Sequence, residues 1–453
     1  MQSSLHHRGA RATGPSGVGE IPPLRLIVLS VILIHTLGHF AYMGLWRNLT
    51  APDFDVNDFK AYYTAAYAVR TGQAEQFLYS DPARMNLGLL PPQPWVEFAV
   101  TAGAPHPSAY IYPPFFAVVL APLTLLPYHA ANLAWFGLNA ALLAGSIAML
   151  LAAGRVWLDR FDLLPAVVVI FTCLNFFPTI RALQCGQAGF VLLFLMAAGL
   201  LALVKGRDGA AGLCVALAAA IKLTPVVLIV WMAWVGRRRA AAWGAGLFAG
   251  FTLLSAALAG WSNLVLYVTG FLPLLSRGAA TYANQSINGF LNRLLTDQSL
   301  TVFGFSDEPA AVWWATRLSA AGLLGAAFVL TRPRRVPWPP EPARDARHLA
   351  LGYSLVVLTS LVVAPISWEH HYVLALVPVA MMIYAVFLQA PTAATVTLAL
   401  LACAWAAMAL DVFELLRKDL PRGSRPALSY VLYGALLLWA LTASRLADRR
   451  EDA

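Results

Sequence analysis

An acidic segment that ends at Asp58 is the first place in the sequence where residue types and spacing suggest chemistry. Asp58 stands directly before an aromatic run, so its carboxylate could cap a short amphipathic helix over residues 58–70. That helix would lie at the membrane interface, with Tyr62, Tyr63 and Tyr67 as its anchors. The functional alternative is a general base that takes the proton of a substrate hydroxyl. Asp53 and Asp55 could hold a divalent metal with a phosphate, but two carboxylates at this spacing are a weak signal.

Residues 282–293 form a second polar cluster, which combines amide side chains with a serine and an arginine. Amides both donate and accept hydrogen bonds, so Asn284 and Gln285 are candidates to bind the hydroxyl groups of a sugar. Arg293 suits a pair of phosphate oxygens. The alternative is an ordinary polar loop, although the apolar residues inside the cluster follow helical spacing and favour a docked helix.

The turn at residues 175–187 places Arg181 and Gln187 where two long apolar runs meet. An arginine at such a turn could simply touch the phosphates of surrounding lipids. The alternative is a surface that binds the headgroup of one specific lipid.

Lys222 lies inside the apolar run 209–235, three residues before Pro225. A cation in such a run either reaches the membrane surface along its aliphatic stem or has a function. Pro225 favours a broken helix and a water-lined cavity. In that setting Lys222 could meet a phosphate or a carboxylate.

Residues 365–372 combine Trp368, His370 and His371 with a proline, again between two apolar runs. Neighbouring histidines on a helix point to different sides, so we do not expect this pair to chelate one metal ion. One histidine could donate a hydrogen bond to a phosphate, and Trp368 could stack on a sugar ring.

The composition indicates what kind of protein positions these residues. Of the 453 residues, 59% are hydrophobic and 12% are charged, with a mean hydropathy of +0.67, whereas soluble domains carry about 25% charged residues. Most of the surface must therefore face lipid. The net charge of +9 does not indicate nucleic-acid binding, because the basic residues form short clusters between apolar runs, as topology signals do. The four cysteines lie in or beside apolar runs and predict no disulfide framework.

Apolar runs recur along the whole chain, and most are long enough to span a bilayer, which predicts an all-α membrane protein. They lie near residues 25–46, 112–126, 129–154, 162–179, 187–204, 209–235, 240–260, 311–331, 348–365, 372–389, 392–411 and 427–444. The run 112–126 is short and bounded by prolines, and the run 209–235 is interrupted at Lys222. Both predict half-helices that need not cross the membrane.

The basic clusters predict the orientation of the chain. With those clusters in the cytoplasm, the outer side receives the four most polar segments, which are residues 47–111, 175–187, 261–310 and 365–372. The expected organisation is a cytoplasmic tail over 1–24, one membrane domain over 25–446 and a cytoplasmic tail over 447–453. The two large outer loops are 47–111 and 261–310. This topology leaves Arg417, Lys418 and Arg422 outside.

Several segments together resemble the bacterial polyprenol-phosphate-sugar-dependent glycosyltransferases of family 87. The resemblance spans roughly residues 58–371, and Glu369 stands where the family pattern leads us to expect aspartate. The segments that carry it are Asp58-Phe59-x-x-Tyr62-Tyr63 with Gly72 and Tyr79, Tyr112-Pro113-Pro114 with Pro127, Asn175-x-x-Pro178 with Gly186-Gln187, Lys222-x-x-Pro225, Asn284-Gln285-Ser286 with Gly289 and Arg293, and Pro365-Ile366-Ser367-Trp368-x-His370-His371.

The resemblance implies a GT-C helical bundle of about 10–13 membrane helices, with half-helices and an amphipathic helix in the first outer loop. It implies inverting transfer of a sugar, typically mannose, from a polyprenyl monophosphate, and it assigns the base to Asp58. No metal and no cofactor is expected, because the donor has no pyrophosphate for a metal to balance. Candidates for the donor phosphate are Arg181, Lys222, Arg293 and His371. Candidates for the sugar or the acceptor are Tyr62, Gln187, Asn284, Gln285, Trp368 and His370.

The expected partners are the polyprenyl-phosphate sugar, a lipid or glycan acceptor, and the lipids of a bacterial inner membrane, with the active site facing the periplasm. The oligomeric state stays open. A transporter or lipid flippase would also use a broken helix at Lys222, but the long segment 47–111 and the lack of an internal repeat fit it poorly. A non-enzymatic scaffold would not need the outer amides, aspartate and histidines. The sequence hardly distinguishes a mannosyltransferase from a GT-C transferase that uses another lipid-linked sugar, such as arabinose or glucose.

Overall fold

The structure, a computed structural model, describes residues 22–55, 57–80, 93–105, 107–157, 162–301, 308–333, 342–388, 391–411 and 420–448. These residues form helices and their connections and contain no β-strand, so the all-α prediction is confirmed for them. Most of the two predicted tails (residues 1–21 and 449–453), together with Arg417 and Lys418, lies outside the described residues.

Seven helices in the described part of the chain are long and apolar enough to cross a membrane, which makes this a multi-pass membrane protein. They are Pro23–Leu49, Tyr128–Trp157, Arg238–Ala259, Ala310–Leu330, Asp345–Val363, Glu369–Val386 and Gly423–Ala447. Leu163–Leu174 and Phe177–Gln184 form a pair bent by 45°, the geometry of a broken span or of a re-entrant loop. The other principal helices are Phe59–Arg70, Gln93–Thr101, Pro114–Leu120, Gly189–Val204, Asp208–Ile221, Val226–Trp234, Trp261–Leu266, Ile287–Leu295 and Pro391–Ala409.

The predicted half-helices are present. Pro114–Leu120 continues as a short 3₁₀ segment and ends at Leu125, before Pro127. The run 209–235 is divided into Asp208–Ile221 and Val226–Trp234, because Lys222 leaves the helix with an extended backbone (φ −145°). A broken helix exposes backbone groups and side chains at membrane depth, which is tolerated where they line a cavity.

The helix after Asp58 covers Phe59–Arg70, close to the predicted 58–70, but its environment differs from the prediction. Tyr62 and Tyr63 are buried in the protein rather than anchored at a membrane surface. Their rings pack against other aromatic side chains, including the edge-to-face contact of Tyr62 with Phe116. The Phe59–Arg70 helix is therefore part of the protein core.

The membrane helices differ sharply in burial. Leu24 and Ile34 on the first span are largely exposed, as expected for side chains that face lipid. The Leu376–Val386 helix is buried throughout its length, which places it at the centre of the bundle. The short 3₁₀ segment Glu369–Ala375, which carries the histidine pair, leads directly into this buried helix.

Candidate active site

Four polar segments from distant parts of the chain line one cavity of about 610 Å³. They are the segment of Asp58, the helix of Arg181 with the turn that follows it, the connection around Tyr282 and the segment that begins at Trp368. The sequence predicts a common side of the membrane for these same segments. Eight of the eleven predicted site residues line the cavity, namely Asp58, Tyr62, Arg181, Gln187, Lys222, Trp368, His370 and His371.

Asp58 is the residue before the aromatic helix, yet its side chain makes no capping hydrogen bond. Asn57 supplies the local bond instead, since its Oδ1 accepts from the N–H of Phe59 at 3.0 Å. The Asp58 carboxylate lines the cavity, where Oδ2 accepts a hydrogen bond from the Gln187 amide and Oδ1 lies 3.5 Å from the hydroxyl of Ser108. The capping interpretation is therefore wrong.

The environment of Asp58 suits proton transfer. Burial in the cavity wall raises the pKa of this carboxyl, while hydrogen bonds from Gln187 and Ser108 and the charge of Arg181 partly lower it. Oδ2 is held by the amide, whereas the contact of Oδ1 is long. A carboxylate with one oxygen fixed and the other available can accept the proton of a hydroxyl bound in the cavity.

Gln187 is oriented by two tyrosines. The hydroxyls of Tyr62 and Tyr112 donate to its Oε1 at 2.8 Å and 3.2 Å. With the amide oxygen occupied in this way, the amide N–H₂ faces Asp58. Tyr62 and Gln187, predicted to bind the sugar or the acceptor, line the cavity. Their polar atoms, however, are engaged with each other and with the Asp58 carboxylate rather than left for a sugar.

The turn before Gln187 requires a glycine. Gly186 has a φ of +59°, in the left-handed region, and a Cβ there would come within 3.0 Å of a neighbouring side chain. The indole N–H of Trp135 donates to the Gly186 carbonyl at 2.8 Å, and the N–H of Asp58 donates to the Cys185 carbonyl at 3.1 Å. These bonds attach the turn to the segment of Asp58 and bring Gln187 against the Asp58 carboxylate.

Lys222 and His371 form a pair of nitrogen groups in the cavity wall. Lys222 Nζ lies 2.9 Å from His371 Nε2, and His371 Nδ1 accepts a hydrogen bond from the backbone N–H of Trp368 at 3.1 Å. Because Nδ1 accepts this bond, the proton of a neutral His371 imidazole lies on Nε2. The two donor groups, Lys222 Nζ and His371 Nε2, therefore face each other across 2.9 Å. Two converging donors suit a shared anionic acceptor, such as a phosphate oxygen.

Asn284 and Gln285 lie outside the cavity lining, which corrects their predicted contact with a sugar. The Asn284 amide donates to the Pro365 carbonyl at 3.0 Å and accepts from the N–H of Ser367 at 3.0 Å. The N–H of Gln285 donates to the Ser367 carbonyl at 2.8 Å. The two segments therefore hold each other, and this joint positions the tryptophan and histidines that follow it.

Arg293 is also placed differently from the prediction. Its guanidinium is fully buried and donates to the carbonyls of Thr281 at 2.7 Å and Asn284 at 2.9 Å and to the Ser429 hydroxyl at 2.7 Å. Donors used within the protein are not available to a phosphate. Arg293 stabilises the loop behind the cavity.

Three residues of the site received no role from the sequence. Ser108 touches Asp58, Tyr112 orients Gln187, and Glu369 lies 3.4 Å from the Arg181 Nε. Nothing local marks Ser108, which stands in an irregular segment. For Tyr112, the available signal was the conspicuous Tyr112-Pro113-Pro114 motif. For Glu369, it was the departure from the family pattern at that position.

Comparisons with known proteins point to one family of relatives. One relative is a phosphatidylinositol pentamannoside mannosyltransferase of Mycobacterium tuberculosis (strain CDC 1551 / Oshkosh), which is polyprenol-phosphate-mannose-dependent and alpha-(1-2)-specific by name. It is 30% identical to this chain over 59% of this chain and 56% of its own length. A phosphatidylinositol mannoside mannosyltransferase of Mycolicibacterium smegmatis with the same donor in its name is 26% identical over 80% of this chain and 77% of its own. The chain thus spans little more than half of the M. tuberculosis relative.

Among solved structures, the chain resembles the crystal structure of ArnT from Cupriavidus metallidurans bound to undecaprenyl phosphate. The TM-score is 0.42 at 14% identity, with 94% of this chain and 78% of ArnT covered. The model of glycosyltransferase family 87 matches residues 110–365, more than half of the sequence. The matched range contains the turn of Arg181, the helix break at Lys222 and the joint at Asn284. The chain therefore belongs to glycosyltransferase family 87.

Proposed function

We propose that this protein is an integral membrane glycosyltransferase that transfers a hexose, specifically mannose, from a polyprenyl phosphate to a hydroxyl of a lipid or glycan acceptor, with inversion. One observation carries the proposal. A carboxylate with an available oxygen and a pair of nitrogen donors for an anion line the same cavity. Family membership supports the reaction class, and the names of the mycobacterial relatives support the donor.

Asp58 acts as the general base in this proposal. Its Oδ1 takes the proton of the acceptor hydroxyl, and the hydroxyl oxygen forms the new bond to the anomeric carbon. The bond from that carbon to the phosphate oxygen breaks, and its electron pair leaves with the phosphate. Attack from the face opposite the phosphate inverts the configuration. Gln187 is a positioning residue for the base, because its amide holds Oδ2.

Lys222 and His371 bind the departing phosphate monoester. Negative charge on the phosphate grows as the bond breaks, and two neighbouring nitrogen groups in the cavity wall are placed to stabilise that charge. Arg181 lines the same cavity and adds a further positive charge. Because these groups balance the leaving group, the reaction needs no metal ion or other cofactor.

The remaining cavity wall accommodates the sugar and the lipid. Trp368 and His370 are the groups that face the sugar. Leu272, Leu275 and Ile366 form an apolar part of the lining that would receive the first units of the prenyl chain. We place the cavity on the periplasmic face of a bacterial inner membrane, because the short connections at Lys205 and Arg237–Arg239 are basic, as cytoplasmic connections are.

Transfer by purified protein tests the proposal. The donor is radiolabelled polyprenyl-phosphate-mannose, and the acceptor is a phosphatidylinositol mannoside, as in the names of the relatives. We expect Asp58→Asn to lower turnover about 10²–10⁴-fold and to keep its affinity for polyprenyl phosphate. Asp53→Asn, an exposed aspartate of the same loop, is the matched control and should retain turnover.

Three outcomes would change the proposal. Near-normal turnover of Asp58→Asn would exclude Asp58 as the base. Product only with a lipid-linked arabinose or glucose would keep the enzyme class and replace the sugar. A folded protein that forms no product with any lipid-linked sugar and binds none of them would favour transport, for which the break at Lys222 is also suitable.

A further inference from the structure

Glu369 is a buried carboxylate that neither the proposed base nor the phosphate site uses. Its side chain is 8% exposed and lines the cavity. Oε1 lies 3.4 Å from the Nε of Arg181, while Oε2 is buried and has no hydrogen-bond partner among the residues that the structure describes. Desolvation of a carboxylate oxygen is costly unless a donor reaches it. An unpartnered oxygen in a cavity wall therefore indicates a donor on the ligand.

A second unpartnered atom follows directly in the chain. His370 is buried and lines the same cavity, and its Nε2 has no hydrogen-bond partner within the described ranges. Glu369 and His370 stand at the start of the 3₁₀ segment that also carries His371. Glu369 Oε2 and His370 Nε2 are therefore two groups that can form hydrogen bonds with a ligand next to the proposed phosphate site.

Charge and ligand geometry favour a neutral donor over a cation. Arg181 already balances the charge of Glu369. Within the described part of the chain, no group of three histidine, cysteine or acidic side chains is arranged to hold a metal ion. The charge of the same arginine also lowers the pKa of Asp58, so one guanidinium acts on both Glu369 and the proposed base.

We propose that Glu369, positioned by Arg181, is a sugar-recognition residue whose Oε2 accepts a hydrogen bond from a hydroxyl of a hexose bound in the cavity, with His370 beside it. This inference rests on the proposed function and deepens it, because it names the group that distinguishes one sugar from another. A site built around a buried acceptor discriminates strongly against a sugar that lacks the matching hydroxyl, since the acceptor then stays unpaired.

The test measures binding to the full-length protein in detergent. The probes are polyprenyl-phosphate-mannose, polyprenyl phosphate without sugar, and methyl α-mannoside as an acceptor analogue. Glu369→Gln keeps the shape and removes the charge, and Glu369→Asp keeps the charge and shortens the reach. Glu308→Gln is the matched control, since Glu308 is a buried carboxylate that bonds Asn288 away from the cavity. Thermal unfolding verifies that each variant is folded.

We expect Glu369→Gln to weaken binding of one sugar probe about tenfold or more, with polyprenyl phosphate affinity unchanged. Weaker binding of the mannosyl donor assigns the hydroxyl to the donor, and weaker binding of methyl α-mannoside assigns it to the acceptor. Unchanged affinity for both sugar probes in both Glu369 variants would overturn the inference. So would a wild type that binds the mannosyl lipid no better than the bare phosphate and does not bind the glycoside.

The failure of this inference is distinguishable from the failure of the proposed function. Transfer that requires Asp58 and tolerates both Glu369 variants rejects the recognition residue alone. Sugar binding that requires Glu369, without transfer from any lipid-linked donor, rejects the transferase and retains the sugar site.

Discussion

The side-chain nitrogen of Lys222 lies 2.9 Å from Nε2 of His371, although the two residues are 149 positions apart. Lys222 can approach His371 because the helix Asp208–Ile221 ends just before Lys222. His371 is oriented by the backbone N–H of Trp368, which donates to its Nδ1. Two donors in contact with each other are unfavourable unless an acceptor joins them. The pair is therefore suited to bind an anion, which in the proposed reaction is the phosphate of the donor lipid.

Lys222→Met should lower kcat/KM for the mannosyl donor about 10²–10³-fold, because the variant keeps the length of the side chain and removes its charge. Affinity for polyprenyl phosphate, measured by equilibrium binding, should fall as well. Lys205→Met is the control, since this exposed lysine lies in a connection far from the cavity lining. Undiminished phosphate binding by Lys222→Met would show that the pair does not hold the donor.

The double variant Lys222→Met with His371→Gln tests whether the pair acts as a unit. Residues that share one ligand lose less together than the sum of their separate losses. We expect a coupling of at least about fivefold in kcat/KM, which corresponds to roughly 1 kcal/mol. Strictly additive effects would mean that the two groups contact different parts of the substrate.

The rate of transfer should depend on a single carboxyl on the acid side. Burial raises the pKa of Asp58, and a general base works only when deprotonated, so kcat should fall as pH decreases through a midpoint above the ordinary aspartate value of about 4. A pH profile of wild type and Gln187→Leu checks this. The Gln187 hydrogen bond lowers the pKa, so its loss should move the midpoint to higher pH. An unchanged midpoint in Gln187→Leu would show that the Gln187 hydrogen bond does not lower the pKa of the catalytic base.

Removal of the tyrosine hydroxyl that orients Gln187 should reduce kcat without preventing binding. In Tyr62→Phe the amide loses its 2.8 Å donor and keeps the bond from Tyr112. Loss of one such hydrogen bond corresponds to roughly fivefold in rate. Steady-state kinetics should show this decrease in kcat with an unchanged KM for the donor. A change in KM alone would instead indicate that Tyr62 contacts the substrate.

The joint between the Asn284 and Ser367 segments should be essential for stability rather than for substrate contact. Asn284→Ala leaves two carbonyls and the Ser367 N–H without this partner, and each unsatisfied buried group costs about 1–3 kcal/mol. The thermal midpoint in detergent should therefore decrease clearly. Asn175→Ala, which removes one partly buried side-chain bond to a carbonyl, should have a much smaller effect. Equal stability of the two variants would contradict the structural role.

Thiol labelling in intact cells tests the proposed orientation. In a variant without the four native cysteines, a cysteine at exposed Asp53 should react with an impermeant maleimide, and a cysteine at exposed Lys205 should react only after lysis. The reverse pattern would place the cavity in the cytoplasm.

Sequence alone was sufficient for the features that depend on local chemistry. Long apolar runs predicted the membrane helices, and Lys222 with Pro225 predicted the break, because charge and proline both disfavour a continuous helix in lipid. Asp58, Arg181 and the histidine pair were identified as candidate site residues from the polar segments that contain them and from the resemblance to family 87. The segments that were predicted to share one side of the membrane contribute residues to one cavity.

The tertiary structure alone decided which polar side chains face that cavity. Asn284, Gln285 and Arg293 have the residue types of a sugar and phosphate site, yet they satisfy buried carbonyls and N–H groups behind it. Ser108 carried no signal in the sequence and Glu369 was marked only by its departure from the family pattern, yet both line the cavity wall. A polar residue type states which hydrogen bonds a side chain can make, and only the packing of distant segments determines whether its partner is the protein or a ligand.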